Sequence, residues 1–167
     1  MGWISPTGFV DSGDVWTGET LAYDENTATF AYISLPSGWG DYLELTTAEV
    51  TCDKVQLWVG IVNTQVTTIE VDVFYNSGWD NIYSGAIVIG SFQEYPIGSQ
   101  QSVTAMRVRF YATKAARQAE IYEADFNEVG VSPGWNKIFY TSEPPTPNAW
   151  NQVKREAGTG WRKLLYE

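Results

Sequence analysis

Four acids, set two residues apart in pairs, are the first candidates for chemistry. Glu70 and Asp72 lie in IEVDVFY, and Glu123 and Asp125 in IYEADF. A pair of carboxylates flanking a sugar linkage can hydrolyse it. Residues two apart on a strand also share one face, and two acids on an exposed face ordinarily serve only solubility. The chain has no histidine, which removes the usual proton shuttle and the Ser-His-Asp and Cys-His nucleophile arrangements. Its single cysteine, Cys52, excludes an internal disulfide and, without histidine, leaves only carboxylates for zinc. Cys52 precedes an apolar strand and is expected to behave as a half-buried small hydrophobe. No Gly-rich phosphate loop precedes a helix. The chain is therefore expected not to be an enzyme.

Other residues suit binding. Asp24-Glu25-Asn26-Thr27-Ala28-Thr29 gathers carboxylate, amide and hydroxyl oxygens in one turn, the ligand type calcium prefers. The same residues suit an Asx turn that needs no metal, with Asp24 accepting from nearby amides. Sugar binding asks for an exposed aromatic face and polar groups that read hydroxyls. Trp16, Trp39 and Trp79 fall in expected loops. Trp16, flanked by Asp14 and Glu19, is the freest stacking candidate, and Trp39 directly precedes a strand. Arg107 and Arg109 share a strand face and are candidate hydroxyl readers. The reading that wins from sequence is a satisfied cross-strand pair with Glu120 or Glu123.

The elements that must position these residues are strands. Period-two alternation dominates from about residue 41 to 129. Val55, Leu57, Val59 and Ile61 alternate with Gln56, Trp58 and Gly60, and Ile69, Val71 and Val73 with Glu70 and Asp72. Met106, Val108 and Phe110 alternate with Arg107, Arg109 and Tyr111, and Tyr122, Ala124 and Phe126 with Glu123 and Asp125. Ser37-Gly38, Asn76-Ser77-Gly78 and Pro96-Ile97-Gly98 are turn signals between the runs. Residues 112–119 are expected as a loop. Many short strands and no long helix mean two packed sheets: an all-β, antiparallel β-sandwich jelly roll with an extended C-terminal arm.

The order of segments resembles the galactose-binding-like jelly roll of discoidin domains and related carbohydrate-binding modules. LAYDENTATF (residues 21–30) resembles their Asp-x-Asn-x-x-Thr loop, and WGDYLEL (39–45) their next strand. IEVDVFYNSGWDNIY (69–83) resembles their strand, turn and Trp, SVTAMRVRF (103–111) the following strand, and AEIYEADFNEVG (119–130) the closing strand with its Glu. The resemblance implies glycan binding, with Trp16, Trp39, Arg107 and Arg109 as candidates, and a core role for Trp79. It also implies a structural calcium held by Asp24, Asn26, Thr29 and Glu123, although Glu25 stands where the family usually has Gly.

Residues 131–167 have another character. GWNKIFY (134–140), AWNQVKR (149–155) and GWRKLLY (160–166) repeat one phrase, and exposed Trp in such density would have to pack on something. Glu143-Pro144-Pro145-Thr146-Pro147 is a stiff spacer, and Asn148 suits the cap of a short helix through Ala157. The net charge of −10 is uneven: residues 1–133 carry 17 acids against 5 bases, and residues 134–167 carry 3 against 5. An acidic body argues against nucleic acid, and no apolar run is long enough to span a membrane. The arm wording resembles C-terminal segments of bacteriophage virion proteins. That resemblance implies attachment through Trp135, Trp150, Trp161, Tyr140, Tyr166, Lys137 and Lys163, either to other virion proteins or to copies of the same chain as a homo-oligomer. With no apolar leader after Met1, the expected destination is a virion surface reached from a host cytoplasm, with glycan contacts falling to the jelly roll. The alternative is a carbohydrate-binding module of a glycan-degrading system. The expected division is residues 1–130 for the jelly roll and 131–167 for the arm.

Overall fold

The structure, a computed structural model, describes residues 2–130, 152–153 and 162–163. In chain order the strands are β1 (Gly2–Ile4), β2 (Gly8–Val10), β3 (Trp16–Thr17), β4 (Ala31–Leu35), β5 (Gly38–Trp39), β6 (Leu43–Ile61), β7 (Val66–Tyr75), β8 (Gly78–Ala86), β9 (Phe92–Ala112), β10 (Arg117–Glu128), β11 (Gln152–Val153) and β12 (Arg162–Lys163). One 3-10 turn, Glu19–Ala22, separates β3 from β4. Among the described residues every strand pairing is antiparallel.

β6 and β9 run 19 and 21 residues, well beyond the usual strand of 3–10, because each serves both layers of a sandwich. Their pairing breaks register between Thr46 and Val50 and again between Cys52 and Lys54. Such irregularities bend a strand and raise its twist, which carries the chain around a corner. On one side of the corner, residues 43–46 of β6 and 105–112 of β9 join β2, β5, β7 and β8. On the other side, the later part of β6 and the earlier part of β9 join β10, β4, β3 and β1. Leu43, Leu45, Val71, Val73, Met106, Val108 and Phe110 face Ile33, Leu35, Leu57, Val59, Ile121 and Phe126 in one buried core. Cys52 is fully buried within it.

The turns follow from local chemistry. Tyr75 pairs with Gly78 across a two-residue loop in which Asn76 and Ser77 have φ of 50° and 64°. Two positive φ values define the type I′ turn that matches strand twist. The loop expected over residues 112–119 is shorter: only residues 113–116 lie between β9 and β10, and Ala112 and residues 117–119 are strand.

β10 departs from simple alternation. A bulge between Ile121 and Glu123 sets Glu123 opposite Trp58, while Ala124 returns to the core opposite Leu57. Glu123 and Asp125 thus leave the core, yet the expectation that they are solvated is wrong. They are 3% and 7% exposed because neighbouring loops cover them. Ser5 Oγ and Gln56 Nε2 donate to Asp125 at 3.1 and 2.8 Å, and the backbone N–H of Asn26 donates to Glu123 at 3.1 Å.

The chain divides into two units, Met1–Gly130 and Val131–Glu167. In the second, β11 and β12 pair, with Gln152 opposite Lys163. The helix expected over residues 148–157 is corrected there, since Gln152–Val153 is extended. Trp135, Lys137, Tyr140, Trp150, Trp161 and Tyr166 lie outside the described residues, and of Lys163 only the backbone is described.

Candidate functional site

Alternation along β9 sends Met106, Val108 and Phe110 inward and Arg107, Arg109 and Tyr111 outward. On β7 the same rule buries Ile69, Val71 and Val73 and turns Glu70, Asp72 and Phe74 to the same outer face. Register then decides the ion pairs. Arg107 lies opposite Asp72, and Arg109 opposite Glu70. Arg107 Nε donates to Asp72 at 2.7 Å, and Arg109 donates to Glu70 Oε1 through Nη2 at 2.7 Å and Nε at 3.0 Å. The partners considered from the sequence, Glu120 and Glu123, are corrected: they sit on β10, which does not pair with this part of β9.

The aromatic residues interleave with the arginines. The Tyr42 ring has the Arg107 guanidinium 4.0 Å from its centroid and that of Arg109 at 4.5 Å. Arg107 also covers Trp79 at 4.3 Å, and Arg109 covers Trp39 at 4.6 Å. Tyr111 meets Trp39 edge-on at 5.4 Å, and Phe74 meets Trp79 at 5.3 Å. The result is a continuous stack across the sheet: Tyr111, Trp39, Arg109, Tyr42, Arg107, Trp79, Phe74. Each cation over a ring is worth on the order of 0.5–2 kcal/mol. The acids beneath fix it in place. Tyr42 donates its hydroxyl to Glu70, and Asn81 donates to Asp72 at 2.7 Å. Burial first, and then the Glu70 bond, pushes the Tyr42 phenol up from its ordinary value.

Two shallow depressions flank this stack and share Glu44. One, of about 360 Å³, is lined by Val10, Ser12, Gly13, Asp41, Tyr42, Glu44 and Arg107. The other, of about 320 Å³, is lined by Glu44, Thr46, Phe74, Trp79, Thr104 and Ala105. Arg107 commits Nε to Asp72, and its terminal nitrogens make no hydrogen bond among the described residues. Asp41 and Glu44 accept no side-chain hydrogen bond there either. A donor fork, two carboxylates, the hydroxyls of Ser12, Thr46 and Thr104, and ring edges therefore surround open space. That mixture reads hydroxyl groups while offering apolar contact.

Of the sequence candidates, Trp39, Arg107 and Arg109 come together here. Trp16 does not. It is 4% exposed, packs at 6.3 Å from Phe110 and donates Nε1 to the Asp41 carbonyl at 3.3 Å. Its ring has no free face for a sugar, so its assignment as a glycan-stacking residue is corrected to core. Trp79, expected in the core, is half-buried on the stack. Sequence reasoning missed Tyr42, Asp41 and Glu44 as site residues. The signal was present, because Leu43 and Leu45 facing inward oblige Tyr42 and Glu44 to face out. The acid pairs have structural work: Glu70 and Asp72 hold the arginines, and none of the four acids lines either depression.

The second locus is the Asp24–Thr29 loop. Asp24 accepts from the Asn26 N–H at 3.1 Å and the Thr29 hydroxyl at 2.7 Å, an Asx turn. Glu123 Oε2 shares that same Asn26 N–H. Its other oxygen, Oε1, is buried with no partner. Burial first, then the neighbouring Asp125, lifts the Glu123 carboxyl to about 7. No group of three or more acidic, histidine or cysteine ligands occurs among the described residues. Two carboxylates, an amide and a hydroxyl remain, all oxygen donors, and an orphaned buried carboxylate oxygen is what a hard cation would satisfy. The residues fit calcium.

No protein-family model matches the chain, and no curated protein does. Solved structures do match. A family 32 carbohydrate-binding module from a family 31 glycoside hydrolase of Clostridium perfringens aligns with TM-score 0.57 at 9% identity, over 74% of this chain and 96% of that one. The family 32 module of AlyQ, in complex with 4,5-unsaturated mannuronic acid, aligns with TM-score 0.57 at 12% identity, over 77% and 100%. The family 32 module of C. perfringens NanJ, in complex with galactose, aligns with TM-score 0.53 at 16% identity, over 74% and 96%. At these identities the similarity establishes a shared fold, the carbohydrate-binding-module β-sandwich.

Proposed function

We propose that this chain is a non-enzymatic carbohydrate-binding module whose ligand lies on the outer face of the β9–β7 sheet. The observation that carries the reading is the arginine–aromatic stack, with uncommitted Arg107 donors beside the Asp41 and Glu44 carboxylates. Arg107, Arg109, Glu44, Phe74 and Trp79 stand on paired strands, and Tyr42 and Asp41 on the short link between β5 and β6, where the Glu70 bond and the arginine contacts hold the Tyr42 ring; a site organised before the ligand arrives lowers the cost of binding. Trp39, Tyr42 and Trp79 supply apolar edges, Arg107 donates to ring or hydroxyl oxygens, and Asp41 and Glu44 accept from hydroxyls. Arg109, held by three contacts with Glu70 and Tyr42, positions Tyr42. The shared fold with carbohydrate-binding modules supports this alternative better than a virion role. A broad glycan array tests it: binding of at least one glycan class, lost on Tyr42→Ala in protein that remains folded, is expected. Silence across the array overturns it.

Calcium belongs to the same proposal as a structural ion. Asp24, Asn26, Thr29 and Glu123 would hold it, and it would neutralise the buried Glu123 carboxylate and fix the loop. Residues 131–167 are proposed as an attachment segment. A virion-surface role for it, with copies of the chain or other virion proteins as partners, rests on the Trp repeats and has no support from the similar structures.

A further inference from the structure

The two depressions meet at Glu44, which lines both. Tyr42, Glu44 and Thr46 face outward in succession and mark a line along the sheet. Four residue steps at about 3.3 Å each give roughly 13 Å, longer than a single pyranose ring. The first depression is polar and charged, with Asp41, Glu44, Ser12 and Arg107. The second sets the rings of Phe74 and Trp79 and the Ala105 methyl beside Glu44 and the threonines 46 and 104. Its outer wall is the Trp79–Phe74 end of the stack. One half is suited to anchoring by hydroxyl contacts, and the other to the face of a ring.

Charge narrows the class. Asp72 neutralises Arg107 at 2.7 Å, and Glu70 neutralises Arg109. Asp41 and Glu44 remain, and no cation is set against either among the described residues. The groove is therefore net negative on a chain of net charge −10, and a carboxylate-bearing sugar placed beside Glu44 meets like charge at close range.

We infer that the groove holds two consecutive units of a neutral oligosaccharide, side-on, with Glu44 accepting from hydroxyls of both, and that it discriminates against uronate chains. This rests on the carbohydrate-binding reading above. It adds that the ligand is an internal stretch of chain rather than a single terminal sugar, and that it is uncharged.

The test is calorimetric titration of the full chain with neutral homo-oligosaccharides of glucose, galactose, mannose and xylose, from one to five units. Oligogalacturonate and oligomannuronate of equal lengths form the acidic arm. For at least one neutral series, the two- or three-unit member is expected to bind roughly tenfold or more tightly than the monosaccharide, with a plateau beyond. The uronates are expected to bind at least about tenfold more weakly at low salt, a gap that narrows with salt and with Glu44→Gln. A monosaccharide binding as tightly as its trimer, or uronates binding as well as neutral chains, overturns the inference and leaves the parent reading standing. No binding by any series, alongside a silent array, overturns both.

Discussion

Replacing Glu123 with Gln should remove one group's share of the pH dependence of stability between about pH 4.5 and 7. Glu123 sits 3% exposed with one carboxylate oxygen unpartnered, and its folded-state pKa is lifted to about 7 from an ordinary 4.5. The fold therefore binds this proton more tightly than the unfolded chain does. Between those values the native state carries more protons, so its stability falls as pH rises, by linkage. The contribution is fully favourable below about 4.5, declines through the window, and levels off above about 7. A tenfold change in proton affinity is worth about 1.4 kcal/mol, so the ionised carboxylate costs the fold roughly 3 kcal/mol. For a domain of this size that corresponds to about 10 °C in Tm. Glu123→Gln keeps an acceptor for the Asn26 N–H and carries no charge. Thermal melts in EDTA from pH 4.5 to 8 should show the parent losing about 10 °C relative to the variant. Calcium should restore the parent, since an ion binding only the folded state stabilises by about 2.7 kcal/mol at one hundred times its Kd, and should leave the variant unmoved. Parallel pH curves in EDTA would refute the burial argument, and equal calcium responses would refute the cation site.

Other outcomes follow from the same geometry. Arg107→Ala strands the buried Asp72 carboxylate with Asn81 alone and should cost roughly 3 kcal/mol in urea unfolding; adding Asp72→Asn should recover part of it. Trp16→Ala should lose about 3–5 kcal/mol in urea unfolding as a core truncation; a loss below about 1 kcal/mol would contradict its burial against Phe110. Ser77→Gly relieves a left-handed residue in the type I′ turn, where an L side chain costs about 1–2 kcal/mol and glycine's extra entropy returns about 0.5–1, so a net gain of roughly 0.5 kcal/mol is expected by thermal melting. A chain ending at Gly130 should remain folded and keep its glycan affinity, and its mass by light scattering should report whether residues 131–167 hold copies together.

The fold was readable because its signals are local and repeated. Leu43, Leu45, Val71, Val73, Met106 and Val108 mark inward faces by period alone, and Asn76-Ser77 marks its hairpin. What the pattern omits is the bulge before Glu123 and the corner in β6, since both are set by pairing rather than by composition. The site was half readable for the same reason. Alternation places Arg107 and Arg109 outward but does not say that β7, and so Glu70 and Asp72, lies beside them. Trp16 was misplaced because loops flank it on both sides in sequence, while two residues of β3 and the Asp41 carbonyl fix it over Phe110 in space.

The central claim is that Asp41, Glu44 and the stacked face bind a glycan. Titration of the best array ligand against the parent, Asp41→Ala and Glu44→Ala tests it most directly, because Asp41 is exposed, Glu44 is half-buried and neither belongs to the buried core. A loss of about tenfold or more in affinity is expected for each variant, with melting temperatures within about 2 °C of the parent. Affinities unchanged within about twofold in both variants would place the ligand elsewhere and contradict the account.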